Sequence, residues 1–168
     1  MANPPVAVVM GSDSDLPKLE GTFTVLRELG LPFTADVISA HRTPGAAHEF
    51  AAAAEEKGYR VIIAAAGGAA HLAGVLASQT ALPVIGVPIP TSNLGGLDSL
   101  LSTVQMPGGV PVATVGIGSG GAKNAAVLAA QIVALGDPEL RDRLKAFREK
   151  QADEVAVKSE RVKKEVGE

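Results

Sequence analysis

Three side chains in this 168-residue sequence can trade protons near neutral pH: His41, His48 and His71. His41 stands in Ser39-Ala40-His41-Arg42-Thr43-Pro44, directly beside Arg42. An imidazole can deliver a proton in one half of a reaction and remove one in the other. The guanidinium next to it is a planar, permanent cation suited to a carboxylate or a phosphate. The preceding Phe33-Thr34-Ala35-Asp36-Val37-Ile38 reads as a strand, and Pro44 suits the first turn of a helix, where its missing N–H costs nothing. The pair thus falls in a strand-to-helix turn. Open parallel sheets bind ligands outside the carboxyl ends of their strands, where such turns lie. A plain surface turn with Thr43 as N-cap accounts for the same residues, and the residues alone leave both readings open.

Two further turns have ligand-facing composition. Gly11-Ser12-Asp13-Ser14-Asp15 follows the apolar run Val6-Ala7-Val8-Val9-Met10. Gly11 permits close backbone approach, and the next helix offers N–H groups to an anion. The Ser12 hydroxyl can bond a phosphate. Asp15 would repel a phosphate but can accept from ribose hydroxyls or an amine. Helix capping by Ser and Asp explains the same stretch. Ala66-Gly67-Gly68-Ala69-Ala70-His71 ends another apolar run, and its N–H groups can form an anion-binding nest. The alternative is a tight turn that needs glycine for positive φ. His71 falls in the first helical turn, where the positive helix end disfavours imidazolium and a neutral ring is expected.

Other chemistries find less support. Gly116-Ile117-Gly118-Ser119-Gly120-Gly121 fits G-x-G-x-x-G. A dinucleotide fold needs a following strand with an acidic residue about 20 positions on, but Asp137-Pro138 opens a helix there. A turn with a close helix–sheet contact is the expectation. The chain has no cysteine, so disulfides, thiolate catalysis and Cys-based zinc sites are excluded. No serine stands in G-x-S-x-G, and the three histidines on separate elements give no convergent metal set. Neither a metal nor a dinucleotide is expected.

The elements that must position these turns alternate. Apolar strands are expected at 6–10, 33–38, 59–66, 83–88 and 111–115. Helices are expected from Leu16 to Gly30, Pro44 to about Lys57, His71 to about Thr80, Leu97 to Val104, Ala122 to Leu135, and onward from Asp137-Pro138. The segment Ile89 to Gly96 reads as a loop. Continuous apolar strands alternating with helices predict an α/β, three-layer α/β/α sandwich on a central parallel sheet, flavodoxin-like or Rossmann-like, plus a C-terminal helix. No linker or repeat appears. Residues 1–168 therefore read as one domain, with a core of about 6–155 and a polar, frayed tail over 158–168.

Hydrophobic residues make up 46% of the chain but aromatics only 3%, so the core must be Ala, Val, Leu and Ile. The net charge of −3, with no basic patch near the motifs, argues against a nucleic-acid partner. Met1-Ala2-Asn3-Pro4-Pro5 lacks the pattern of a signal peptide, and no apolar run reaches membrane-spanning length. A cytoplasmic protein is expected.

Together, Val8 to Asp15, Ser39 to Pro44, Ala66 to Leu72 and the later Gln105-Met106-Pro107-Gly108-Gly109-Val110-Pro111-Val112 resemble the N5-carboxyaminoimidazole ribonucleotide mutase family. The resemblance spans about residues 6–155. It implies a cofactor-free, metal-free isomerase of purine biosynthesis, which moves a carboxylate from the exocyclic amine of the ribonucleotide to a ring carbon. By this resemblance His41 is the general acid/base, and Ser12, Asp15 and Arg42 bind substrate. The rest of the three turns supply further substrate-binding positions: Gly11, Ser39, Ala40, Gly67, Gly68, Ala70, His71 and Leu72. A homo-octamer with pockets near subunit contacts is also implied. The helix from Ala122, apolar almost all round, independently suggests an oligomer. A related branch carboxylates aminoimidazole ribonucleotide directly, and the shared motifs fit it too. A non-catalytic nucleotide- or flavin-binding module would need aromatic residues to sandwich a ring, and with no Trp and Tyr59 placed before a strand that need is not met.

Overall fold

Val6, Val8 and Met10 of β1 (Val6–Met10) pack into one hydrophobic core, while Ala7 and Val9 pack into another. A strand buried on both faces reads as one apolar run rather than an alternation. The same holds for β3 (Val61–Gly67) and β4 (Val84–Ile89). In the computed structural model, which describes residues 3–91 and 93–167, these strands form a five-stranded sheet in the order β2-β1-β3-β4-β5, parallel throughout. The edges are β2 (Phe33–Val37), partly exposed, and β5, only Ala113–Thr114.

One face of the sheet carries α1 (Leu16–Glu28), α5 (Gly118–Val133) and α6 (Pro138–Val166). The other carries α2 (Pro44–Ala53), α3 (Leu72–Ala77) and α4 (Leu97–Val104). The expected three-layer sandwich with a C-terminal helix is therefore the fold. Alanine dominates α5, and Ala122, Ala125, Ala126, Ala129 and Ala130 are wholly buried. Small side chains let α5 lie close against α1 and the sheet. Larger buried side chains such as Leu19, Leu26, Ile63 and Ile85 complete this core, each contributing about 1.5–3 kcal/mol.

The glycine-rich stretch differs from expectation. It was read as a turn running to Gly121, but α5 already begins at Gly118. Gly121 is needed for close approach: a Cβ there would lie 1.5 Å from the Gly116 carbonyl oxygen. A close contact is present, but Gly116 lies beyond β5 in the connection to α5, so Gly121 meets that connection and not the sheet. The buried face of α5 is also covered within one chain, by α1, the sheet and α6. Its composition therefore does not require a second subunit, as the sequence reading had supposed.

At the chain end, α6 stays helical through Lys158 to Val166, where polarity alone led us to expect fraying. Asp137 caps its start by accepting from the Leu140 N–H, and Lys163–Glu160 and Arg161–Glu165 pairs line its last turns. In the loop after β4, Ser92 lies outside the described residues. No helix among the described residues is long and apolar enough to cross a membrane.

Candidate active site

The strand order places β1 between β2 and β3, so the three chemistry-bearing turns leave neighbouring strand ends. This is the switch point of a 2-1-3-4-5 sheet, where a crevice opens because successive helices leave toward opposite faces. Met10 lies level with Val37 on one side and Ala65 on the other. A cleft of about 280 Å³ opens just beyond. It is lined by Gly11, Ser12, Ser14 and Asp15 after β1, by Ser39, Ala40, His41 and Arg42 after β2, and by Ala66, Gly67, Ala69, His71 and Leu72 after β3.

His41 and His71 meet across this cleft. Nε2 of His41 stands 2.9 Å from Nδ1 of His71, and the ring planes are 85° apart. Their separation in sequence is 30 residues, so only the pairing of β2, β1 and β3 brings them together. One ring must donate and the other accept, so the contact couples the tautomers of the two imidazoles. His48 sits on the exposed side of α2, away from the cleft.

The His41 turn is braced by its own hydrogen bonds. The Ser39 hydroxyl accepts from the Arg42 N–H at 3.2 Å. Thr43 holds the N-cap position, but its hydroxyl makes no capping bond. It donates to the Ser39 carbonyl at 2.9 Å and accepts from the Ser39 N–H at 3.1 Å. These contacts fix the backbone on both sides of His41 while leaving the His41 and Arg42 side chains exposed. The Arg42 guanidinium forms no ion pair among the described residues, which leaves its planar donors to an anionic ligand.

Ser12 combines a cap with a place on the cleft wall. It caps the 3₁₀ turn Asp13–Asp15 by accepting from the Ser14 N–H, and it faces the cleft. The Ser14 hydroxyl donates to it at 2.8 Å. Asp15 behaves otherwise. It occupies the N-cap position of α1 but makes no capping bond, and it is only 9% exposed. Burial pushes its carboxyl above the ordinary value of 3.8, the Asp13 charge adds to this, and a backbone hydrogen bond from Ser12 opposes it. A buried carboxylate at the cleft that caps nothing is maintained at a cost to the fold, as at many ligand-binding sites.

The anion nests expected from the glycines are largely spent on the protein itself. Gly11 N–H bonds the Ala65 carbonyl. Gly68, at φ +67°, gives its N–H to Ser99. The Ala70 and His71 N–H groups close onto the Gly68 and Ala69 carbonyls, both at 2.8 Å. The glycines there serve turn geometry, which leaves the side chains as the main polar groups of the cleft. Gly68 and Ala70 do not line the cleft, whereas Ser14, Ala66 and Ala69 do. Met106, from the fourth motif, packs on α3 at Gly74, where its sulfur lies 2.8 Å from the place a Cβ would take. No Phe or Tyr lines the cleft; Tyr59 is buried, bonded to Thr34 and packed on Phe50. A ring sandwich of the flavin-binding kind has no place to form in this cleft.

The model of the AIR carboxylase family matches residues 5–154, nearly the whole described fold. This chain belongs to that family. The AIR carboxylase family assignment is supported by curated relatives named N5-carboxyaminoimidazole ribonucleotide mutase. The one from Thermotoga maritima is 54% identical over 159 residues, covering 95% of this chain and 92% of that relative. The one from Escherichia coli is 53% identical over 150 residues, covering 89% of each. A crystal structure of Treponema denticola PurE superposes with a TM-score of 0.83 at 28% identity, covering 94% of this chain and 98% of that one. Within this family fold the cleft combines a histidine pair, an arginine with no ion pair among the described residues and a buried carboxylate at one strand-end crevice.

Sequence reading missed one polar group entirely. Ser99 and Thr103 of α4 are buried and face the sheet, while Leu97, Leu101 and Val104 of the same helix are exposed. The signal was the phase of α4: its serine and threonine at 99, 102 and 103 sit between leucines at helical spacing. We had assigned the leucines no face.

Proposed function

We propose that this chain is an N5-carboxyaminoimidazole ribonucleotide mutase, an isomerase of purine biosynthesis acting on a ribonucleotide. The observation that carries the reading is the His41–His71 contact in a cleft that also holds Arg42 and Asp15. The relatives' shared name supplies the reaction, and the site supplies groups suited to it.

The rearrangement breaks an N–C bond and forms a C–C bond. His41 first delivers a proton to the exocyclic nitrogen as that bond breaks, releasing carbon dioxide and leaving aminoimidazole ribonucleotide. The electron-rich ring carbon then attacks the carbon dioxide, and neutral His41 removes the proton from that carbon. One proton is delivered and one removed, so a single imidazole ends as it began. His71 fixes the His41 tautomer and ring orientation through Nδ1. Ser12 and Arg42 bind anionic groups of the substrate, and Asp15 accepts from hydroxyls. Gly11, Ser39, Ala40, Gly67, Ala69 and Leu72 shape the walls, and Gly68 and Ala70 set the turn that carries Ala69. Holding carbon dioxide against the ring between the two halves favours recapture over escape.

Residues 1–168 act as one catalytic domain in the cytoplasm, and the chain works as a homo-oligomer, an octamer in our reading. Support for association comes from α4, which turns Leu97, Leu101 and Val104 outward, with Leu94 and Ile117 also exposed and Ile117 packed against Gly96 at the head of the helix. Exposed apolar surface of this kind is expected at a subunit contact. The test of the reaction is to supply either the N5-carboxylated ribonucleotide, or aminoimidazole ribonucleotide with bicarbonate, at low carbon dioxide. Fast turnover of the first alone is expected; turnover of the second alone would assign direct carboxylation instead.

A further inference from the structure

A helix normally buries its apolar stripe and shows its polar one to water. In α4 the order is reversed, and the polar stripe is aimed at the turn after β3. The Ser99 side chain is wholly buried. Its hydroxyl accepts from the Gly68 N–H at 2.9 Å and donates to the Ile89 carbonyl at 2.6 Å, which ties the end of β4 to the β3–α3 turn. Ser102 donates to the Gly68 carbonyl at 3.3 Å. The Thr103 hydroxyl, also buried, donates to the Ser99 carbonyl at 2.7 Å and lies 3.5 Å from the Ala70 carbonyl. Both backbone groups of Gly68 are therefore held by side chains of one helix.

Close approach by α4 depends on Gly86 in β4. A Cβ there would fall 2.3 Å from the Thr103 methyl carbon and 2.9 Å from Val112. With glycine at 86, the helix can sit near enough for three hydroxyls to reach the turn.

We propose that Ser99 is a positioning residue for the reaction, acting through the Gly67–Ala70 turn on His71 and so on His41. The inference rests on the mutase reading of the site. Gly68 at positive φ starts two tight backbone closures, Ala70 N–H to Gly68 carbonyl and His71 N–H to Ala69 carbonyl. His71 stands at their end, with Nδ1 on His41. The Gly67–Ala70 turn packs few large side chains, so its conformation depends on these hydrogen bonds. Removing the Ser99 hydroxyl leaves a half-buried N–H and a buried carbonyl without that partner, and the peptide at Gly68 must shift to find others. A shift of order 1 Å at a proton-transferring pair can cost about 100-fold in rate.

The test compares Ser99→Ala, Ser99→Thr and the distant hydroxyl control Thr24→Ala in the full-length protein by two measurements. The first is the imidazole ¹H–¹⁵N correlation spectrum. Ser99→Ala is expected to move the ring resonances of His71 and His41 and to leave His48 in place, with no change in Thr24→Ala. The second is steady-state kinetics on the N5-carboxylated ribonucleotide. Ser99→Ala is expected to lower kcat about 10-fold or more with KM little changed. That loss should shrink toward none in a His71→Asn background, because the effect passes through His71. Ser99→Thr, which keeps the hydroxyl, should recover both signatures in part.

Unmoved His71 and His41 resonances in folded Ser99→Ala would overturn the proposal. So would a kcat loss of the same size with and without His71. If wild type converts no N5-carboxylated ribonucleotide, the mutase reading falls, and the spectrum still decides whether Ser99 sets the histidine pair.

Discussion

Nε2 of His41 and Nδ1 of His71 stand 2.9 Å apart, with their rings nearly perpendicular. Two imidazoliums cannot share this contact, since both nitrogens would then carry a proton. His71 must present a free Nδ1 whenever His41 donates along it. His71→Asn should therefore lower turnover by about 10-fold to 100-fold while substrate still binds, a smaller loss than His41→Asn, whose acid–base role is worth about 10²–10⁴-fold. Equal losses in the two variants would put His71 in the chemistry itself.

Arg42 has no carboxylate partner among the described residues. Arg42→Lys keeps the charge and loses the planar fork, so it is not a conservative change here. KM should rise about 10-fold with kcat changed less, and Arg42→Ala should do more. An unchanged KM in Arg42→Ala would take the guanidinium out of substrate binding.

Asp15 carries a carboxyl raised above 3.8 chiefly by burial. A raised acid in the folded state binds its proton more tightly than in the unfolded chain. Its ionisation therefore costs stability as pH climbs from the ordinary value through the raised one, and the cost is complete above both. Asp15→Asn should raise the melting temperature at pH 7, lose that advantage at pH near 3, and weaken substrate binding. Loss of melting temperature at pH 7 in the variant would mean the carboxylate supports the fold.

Gly121 and Gly116 touch backbone to backbone. Gly121→Ala should destabilise by about 3 kcal/mol or more, since neither the backbone at Gly116 nor α5 can yield that distance cheaply. Chemical denaturation measures it, and a near-normal midpoint would refute the close contact.

Leu101 lies at the centre of the outward face of α4 and is 47% exposed. Leu101→Asp should lower the sedimentation coefficient of the assembly without unfolding the chain. A wild-type chain that sediments as a stable, active monomer would refute association altogether.

Much of this was legible in the sequence because strand ends and turns have local signatures. Continuous apolar runs marked β1, β3 and β4, and His41-Arg42 followed by Pro44 marked a strand-to-helix turn, which the structure places on the cleft. The meeting of His41 with His71 was not legible, because it depends on strand order. The nests failed because glycine turns say where N–H groups exist and not which partners already occupy them: Ser99 takes the one at Gly68. Gly118 to Gly121 looked like loop by propensity, yet close packing of Gly121 on the Gly116 backbone favours glycine there within a helix. The inverted α4 was readable in principle, since Ser99, Ser102 and Thr103 alternate with leucines, but its inward face became clear only with the sheet in place.

The most direct test is turnover of N5-carboxyaminoimidazole ribonucleotide at low carbon dioxide by wild type and His41→Asn, with binding measured alongside. Wild type should form the 4-carboxy product rapidly, and His41→Asn should bind the substrate and lose at least about 10²-fold of turnover. Near-wild-type turnover by His41→Asn would contradict the account.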